Sequence, residues 1–509
     1  MQNWLWMIGL PIVAAPIIYV VGRTFRPGDG TKAGINPAMW VALLSLLATG
    51  FFTYQAWTAY IADATLETSI GMVALRADGI SFLMATAILV LGSMATLYSG
   101  PYLAADEGQE KFYALLTAMI GMMIGLSCAR DLFNLWIWFE GMAIASFPLV
   151  AFYRRNPAGL EAGIKYLVQS AAGSILVLVA IALVYSETGS LAYDGIVAAS
   201  GRSLPMLAAG ALFIVGFGVK VAMVPLHTWL PDAHSQAPSP ISAMLSGVVI
   251  EAGLIALIRS LGVLQSVSNN WGVILLGFGA LNMLVGNLLA LRQTQVKRLL
   301  AFSSLAHIGY ILLGIGVAAS SYYFDDLNTG FFAGSGSFFH ILTHALMKGL
   351  AFLAAGCLLY SLYISRGSHE PLTKNDLAGA ARRYPLEAFG LSVAVLALGG
   401  LPPLAGFMSK WQIFVGSFMS GNPWIIGLVI FAAFNSVLSL GYYAPLVNLM
   451  YRHEPGEVVL AGKPTPWLMI LPVCLLALAV VVLGFWPSLV QPLTDVAGFS
   501  LLQLFGFVR

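Results

Sequence analysis

Long apolar stretches separated by short polar ones run the whole length of the chain. About 14 of them reach the ~20 residues that a helix needs to cross a hydrocarbon core. They cover residues 3–22, 37–60, 79–99, 112–129, 131–152, 166–186, 205–225, 240–258, 271–291, 299–319, 335–363, 387–408, 425–450 and 465–487. Helix is the predicted element for each, because in lipid only a helix or a closed barrel satisfies its own backbone. Two runs carry prolines near charged residues: one passes from Lys220 through Pro225 to Pro231, the other passes Pro402 and Pro403 before Lys410. Proline lacks the backbone donor, so both runs are expected to be broken helices. The apolar stretch from Pro487 to Arg509 is expected along the membrane interface.

Composition agrees with this pattern. Of 509 residues, 59% are hydrophobic and 9% charged, against roughly 25% charged in an ordinary soluble domain. So few charges could not keep a chain of this length in water. Cys128, Cys357 and Cys474 lie far apart in apolar segments; they form no CxxC pair and fall short of the four ligands of an iron–sulfur cluster. They read as small hydrophobes. The first run has no basic segment before it and no A-x-A-like site after it, so it reads as a retained span.

Basic residues are distributed unevenly between alternate loops. After odd-numbered spans come Arg23, Arg26, Lys32, Lys111, Arg154, Arg155, Lys165, Arg292, Lys297, Arg298, Arg366, Lys374, Arg382, Arg383, Arg452 and Lys463. The opposite side holds only Arg76, Arg130, Arg202, Arg259 and Arg509. By the positive-inside rule the richer side faces the cytoplasm, and both termini face away from it.

The remaining three basic residues lie inside spans. Lys220, Lys348 and Lys410 are accompanied there by Glu140, Glu251, His307, His340 and His344. An ionisable group at the bilayer centre costs at least ~2.5–3.5 kcal/mol on insertion scales, so each is a functional candidate. Glu140, in LWIWFEGMAIASF, has no other charge within eight residues on either side. Burial penalises the charged form of such a group, and small changes of local field can then switch its protonation. A Glu and a Lys that approach and separate make a relay; the alternative is a fixed pair locking two helices. His340, His344 and Lys348 are spaced i, i+4, i+8 and share one helical face. Two histidines one turn apart also suit zinc, but no third ligand is evident and a lysine shares their face, which favours a proton wire over a metal site. Histidines satisfied by backbone carbonyls remain the plainer alternative. His307, beside Ser303 and Ser304, either continues the wire or is a hydrogen-bonded core histidine.

Five long segments, in order, resemble one family. GFGVKVAMVPLHTWLPDAHSQAPSPISAMLSG is similar to the seventh-to-eighth span signature of the antiporter-like subunits shared by respiratory complex I, Mrp-type cation/proton antiporters and membrane-bound hydrogenases. RDLFNLWIWFEGM resembles that family's fifth span, and QTQVKRLLAFSSLAHIGY, HILTHALMKGLAFL and LPPLAGFMSKWQIF its tenth, eleventh and twelfth. The resemblance runs from about residue 80 to 415. It implies an all-α polytopic membrane protein of about 14 transmembrane helices, with two inverted five-helix repeats, spans 4–8 and 9–13, broken at spans 7 and 12. The corresponding divisions are 1–111 (three spans), 112–264 and 265–451 (the repeats) and 452–509 (last span and tail). It also implies that Glu140 and Lys220 form a switching ion pair and that Lys410 is the terminal lysine. One position departs from the pattern: relatives often carry lysine in the eighth span, where this chain has Glu251 in SGVVIEAGL. Glu251 is eight residues from Arg259, ~12 Å along a helix and out of contact. Its expected partner is therefore on another helix, with Lys220 or Lys348 the first candidates.

The resulting expectation is a proton-translocating subunit of a complex I-like (NADH-quinone oxidoreductase type) assembly, working through a Glu/Lys/His relay along the membrane midplane. The alternatives are an Mrp-type sodium/proton antiporter or membrane-bound hydrogenase subunit, or a structural scaffold with fixed charge pairs. A scaffold would gather its charges at helix ends, whereas these lie mid-span. No nucleotide fingerprint, flavin motif or cluster ligand set is present, so no cofactor and no metal are expected in this chain. The expected partners are other membrane subunits, homologous antiporter-like ones included, and the lipid bilayer, with no nucleic acid.

Overall fold

The computed structural model describes residues 3–25, 34–71, 73–321 and 326–507. Arg26, Lys32 and Arg509, counted above among the loop charges, lie outside the described residues. A short turn, Asn3–Leu5, leads into α1 (Trp6–Thr24), and α2 (Ala38–Ile61) follows. An antiparallel hairpin that the hydropathy pattern did not predict, β1 (Glu67–Ile70) with β2 (Val73–Arg76), then crosses to α3 (Gly79–Tyr102). The chain continues through α4 (Gln109–Ser127), α5 (Leu132–Val150), α6 (Pro157–Thr188), the short α7 (Tyr193–Ala199) and α8 (Leu204–Val221). After α9 (Trp229–Gln236) comes α10 (Ser239–Gly262), widened to a π turn over Leu245–Val249. The second half holds α11 (Trp271–Leu291), α12 (Val296–Ala319), α13 (Leu327–Leu362), α14 (Pro385–Gly399), α15 (Ala405–Phe418) and α16 (Pro423–Arg452). The short α17 (Glu457–Ala461), then α18 (Trp467–Phe485) and α19 (Gln491–Leu504) complete it.

Among the described residues, twelve helices are long and apolar enough to cross a membrane, and each falls on one of the expected segments. The other two expected segments differ for local reasons. Segment 112–129 forms α4, which opens on the polar Gln109, Glu110 and Lys111. Segment 387–408 is divided between α14 and α15, of 15 and 14 residues, each too short to span alone. Helix starts follow side-chain chemistry. Asp78 caps α3 by accepting from Ser81 N at 2.9 Å, and Asp131 caps α5 by accepting from Asn134 N at 2.6 Å. Pro157 and Pro423 occupy first-turn positions, where the missing donor costs nothing.

Burial sorts the helices into an axis and a jacket. Over their most apolar stretches α10 and α12 are 100% buried and α13 94%, against 33% for α2 and 28% for α16. Helices apolar all round belong in the interior, and these three carry Glu251, His307, His340, His344 and Lys348. Small residues let neighbouring backbones approach closely. A methyl group added to Gly309 would lie 2.6 Å from the Gly279 carbonyl on α11. The C-terminal α19 lies against α3 and α13, where Ser500 Oγ accepts from Gly79 N at 3.1 Å.

Candidate functional site

Both proline-bearing runs break beside their lysine. Lys220 lies in the last turn of α8, and Ala222 ends that helix with a positive φ of 59°. The break over 222–228 is tied down rather than loose: Asn282 Oδ1 accepts from Val224 N at 2.8 Å, and Trp229 Nε1 donates to Val219 O at 2.7 Å. In the second break, Gly400 takes a φ of 82° between α14 and α15, and Lys410 lies in the second turn beyond.

Lys220 and Glu140 are not in direct contact. The Lys220 ammonium donates to the Tyr166 hydroxyl and faces the rings of Tyr166, Phe147 and Phe139 at 4.5, 5.5 and 6.0 Å. Glu140, next to Phe139 on α5, is partly exposed and makes no ion pair among the described residues. The expected pair is not formed in this structure: an aromatic and hydroxyl receptacle on α5 and α6 holds the cation instead.

Glu251 pairs across helices, with a partner other than the two lysines favoured above. Its Oε1 is 2.6 Å from His344 Nδ1, hydrogen bonded, and both side chains are wholly buried. Lys220 is engaged by Tyr166 and Lys348 by α12, which leaves the histidine. Lys348 donates to Leu300 O at 2.8 Å and to Ser303 Oγ. Arg259 is engaged elsewhere through one terminal nitrogen, with Asp78 oxygens at 2.8 and 2.9 Å and the Ser127 carbonyl at 2.5 Å.

From His344 the polar groups continue inside the bundle. The His307 ring lies 5.1 Å from that of His344, inclined by 29°, and His307 Nδ1 is 3.0 Å from His340 Nε2. His340 Nδ1 is 2.8 Å from Ser409 Oγ, the residue before Lys410. The Lys410 ammonium donates to Leu398 O at 2.8 Å and Ser436 Oγ at 2.9 Å, and lies 4.5 Å from the Tyr310 ring centre. Glu251, His344, His307, His340 and Ser409 thus come from four helices and meet in one buried row. The second nitrogen of His344 and the second oxygen of Glu251 have no protein partner. Among the described residues, no three His, Cys, Asp or Glu side chains are grouped to hold a metal ion.

Several contributors escaped the sequence reading. His234 is wholly buried, stacks on Phe352 at 4.9 Å, and has no partner on either ring nitrogen. Lys297, counted above as a loop charge, is buried at the start of α12 and donates to Ala237 O. A cavity of about 200 Å³ reaches it, walled by Tyr102, Tyr153, Gln236 and His369. That cavity opens on the face rich in loop arginine and lysine, and a larger one of about 710 Å³ beside Arg76, Arg130 and Arg259 opens on the other. A buried Lys297 has a weak sequence signal, since one residue further on, after Arg298, the apolar LLAF begins. Tyr166 has none, because an aromatic in an apolar span is ordinary.

Comparison with known proteins agrees with this architecture. Residues 129–436 match the family described as NADH:quinone oxidoreductase/Mrp antiporter, and residues 67–113 match the N-terminal segment of NADH-ubiquinone oxidoreductase (complex I) chain 5. F(420)H(2) dehydrogenase subunit N of Methanosarcina mazei is 32% identical over 468 residues, covering 90% of this chain and 91% of that one. NADH-quinone oxidoreductase subunit N of Desulfitobacterium hafniense is 33% identical over 444 residues, covering 84% and 85%. Among solved structures, a chain of the archaeal membrane-bound sulfane sulfur reductase superposes with a TM-score of 0.86 at 26% identity, covering 100% of this chain and 99% of that one. This chain, a polytopic helical membrane protein with Glu251, three histidines and Ser409 in one buried row, belongs to the NADH:quinone oxidoreductase/Mrp antiporter family.

Proposed function

We propose that the chain is a proton-translocating membrane subunit of a complex I-like oxidoreductase assembly. The observation that carries this reading is the fully buried Glu251–His344 contact at 2.6 Å, continued by His307 and His340 to Ser409 beside Lys410. Four titratable groups in one buried row form a costly arrangement for structure alone and a useful one for passing protons. Glu140 and Lys220 act as the switch: when the pair opens or closes, the field at Glu251 changes and the proton it shares with His344 shifts. Protons are taken up through the cavity above Lys297, by way of His234 and Lys348, and leave beyond Lys410. The chain works in an inner or cell membrane, with the basic loops cytoplasmic and both termini on the other side. Redox chemistry belongs to partner subunits, among them other antiporter-like chains, and the two halves 112–264 and 265–451 act as inverted repeats.

Glu140→Gln in the assembled complex tests this reading. The shape is kept and the charge removed, so assembly persists while redox-driven proton uptake into proteoliposomes falls severely. Normal pumping by the assembled variant removes Glu140 from the mechanism. Transport that needs sodium and no redox drive assigns the chain to cation/proton antiport instead.

A further inference from the structure

The position of Lys220 goes beyond an open ion pair. We propose that Tyr166 is a second docking station for the Lys220 ammonium, competing with Glu140 and setting how long the switch stays open. The inference rests on the switching role given above to Glu140 and Lys220.

The hydrogen-bond directions define what the station can do. Ser146 Oγ donates to the Ala143 carbonyl at 2.7 Å, so at the 2.9 Å contact between Ser146 and Tyr166 the tyrosine is the donor. The Tyr166 oxygen then has a lone pair for Lys220, which donates to it. The chain Lys220–Tyr166–Ser146 ends on a peptide carbonyl, so it holds a cation and passes no proton onward. The faces of Tyr166, Phe147 and Phe139 add cation–π attraction in a buried site. Phe139, Ala143, Ser146 and Phe147 lie on α5 with Glu140. The carboxylate thus shares α5 with the phenyl rings of the receptacle, whose hydroxyl comes from α6, and the competition requires the lysine, on its flexible stem, to turn from Tyr166 to Glu140.

The station is also wired to the break. The Tyr166 ring stacks on Trp229 at 4.2 Å and 17°, and Trp229, the first residue of α9, is bonded to Val219 beside the lysine. One turn along α6, Gln169 and Thr228 exchange hydrogen bonds at 2.9 and 3.1 Å. A shift of the 222–228 segment thus moves the receptacle together with the lysine it holds.

The test uses the assembled complex carrying Tyr166→Phe, which removes one oxygen and keeps the stacked ring, with Ser146→Ala as a second variant that loosens the same hydroxyl. Electron cryo-microscopy is expected to find Lys220 turned to Glu140 in Tyr166→Phe; a lysine found anywhere else overturns the proposal. In proteoliposomes, Tyr166→Phe and Glu140→Asp each slow proton translocation several-fold, one by favouring the closed pair and the other by weakening it. The double variant is expected to be faster than either single one, a compensation that a merely structural tyrosine would not produce. Additive slowing overturns the competition. If the unmodified complex moves no protons at all, the reading of function fails, and the position of Lys220 in the variant still decides the station.

Discussion

Glu251→Gln separates the proton chemistry of the central row from its packing. Glu251 is wholly buried, one carboxylate oxygen bonded to His344 at 2.6 Å and the other without a protein partner. Glutamine has the same shape, and its amide oxygen can take over the bond to the His344 ring. Exchanging a short bond to an ionisable group for a neutral one costs ~1–2 kcal/mol. Glu251→Leu instead strands the imidazole, at ~1–3 kcal/mol. Neither cost prevents assembly of a chain with so large a buried interior. Transport responds differently, because an amide neither takes up nor releases a proton. A methyl group added to Gly253 would lie 3.1 Å from Lys220 Cγ, so α10 passes close to Lys220 while Glu251 on it touches His344. On the function proposed above, position 251 is the titratable group between the Glu140–Lys220 switch and the histidines. Its loss is expected to slow redox-driven acidification of proteoliposomes at least ~100-fold, equivalent to ~2.7 kcal/mol of barrier at 1.36 kcal/mol per decade. The rate is normalised to assembled complex measured on native gels. A glutamine variant that pumps at half the wild-type rate or more would refute the row as the proton path.

Lys410 is held by Leu398 O and Ser436 Oγ in a site shaped for an ammonium. Lys410→Met is expected to abolish translocation, and Lys410→Arg, which keeps a charge that does not come off, to fail as well; full transport by the arginine variant would show that a fixed charge suffices. Arg259→Leu leaves Asp78, Ser81 and Ser127 without their buried cation and is expected to destabilise the detergent-solubilised protein by ~3–5 kcal/mol, read as earlier thermal unfolding. Asp106, in the loop between α3 and α4, is pushed up to about 6 by burial, with His369 opposing. Its folded-state value lies above its unfolded one, so its contribution to stability is fully present below pH ~4 and is lost as the pH rises through about 6. Asp106→Asn should flatten thermal stability between those values and leave the variant the more stable at pH 7; an unchanged profile would contradict the burial.

Reading the chain by pattern works where one physical term dominates. The price of a polar backbone in lipid makes every span visible as an apolar run, and prolines beside Lys220 and Lys410 mark the two breaks. The reading falters where a residue has two reasons to be where it is. Lys297 and Arg259 count as loop charges by sequence, yet both are buried, one on the Ala237 carbonyl and the other on Asp78, because helix ends here sink below their neighbours. The hairpin 67–76 is too short and too mixed to compete with the spans around it.

By itself the sequence determined that the chain spans a membrane many times, that eight ionisable groups lie at depth, and that His340, His344 and Lys348 share a face. Helical periodicity places residues around one axis, and nothing more is needed for that. It leaves open which neighbour each face meets. Only the tertiary structure turned Glu251 to His344 rather than to a lysine, brought His307 from α12 to His340, and set Lys220 on Tyr166 instead of Glu140. Those choices depend on how far each helix is rotated and how closely it approaches its neighbours. Glycines and small residues at the crossings set both, through contacts between segments far apart in the chain.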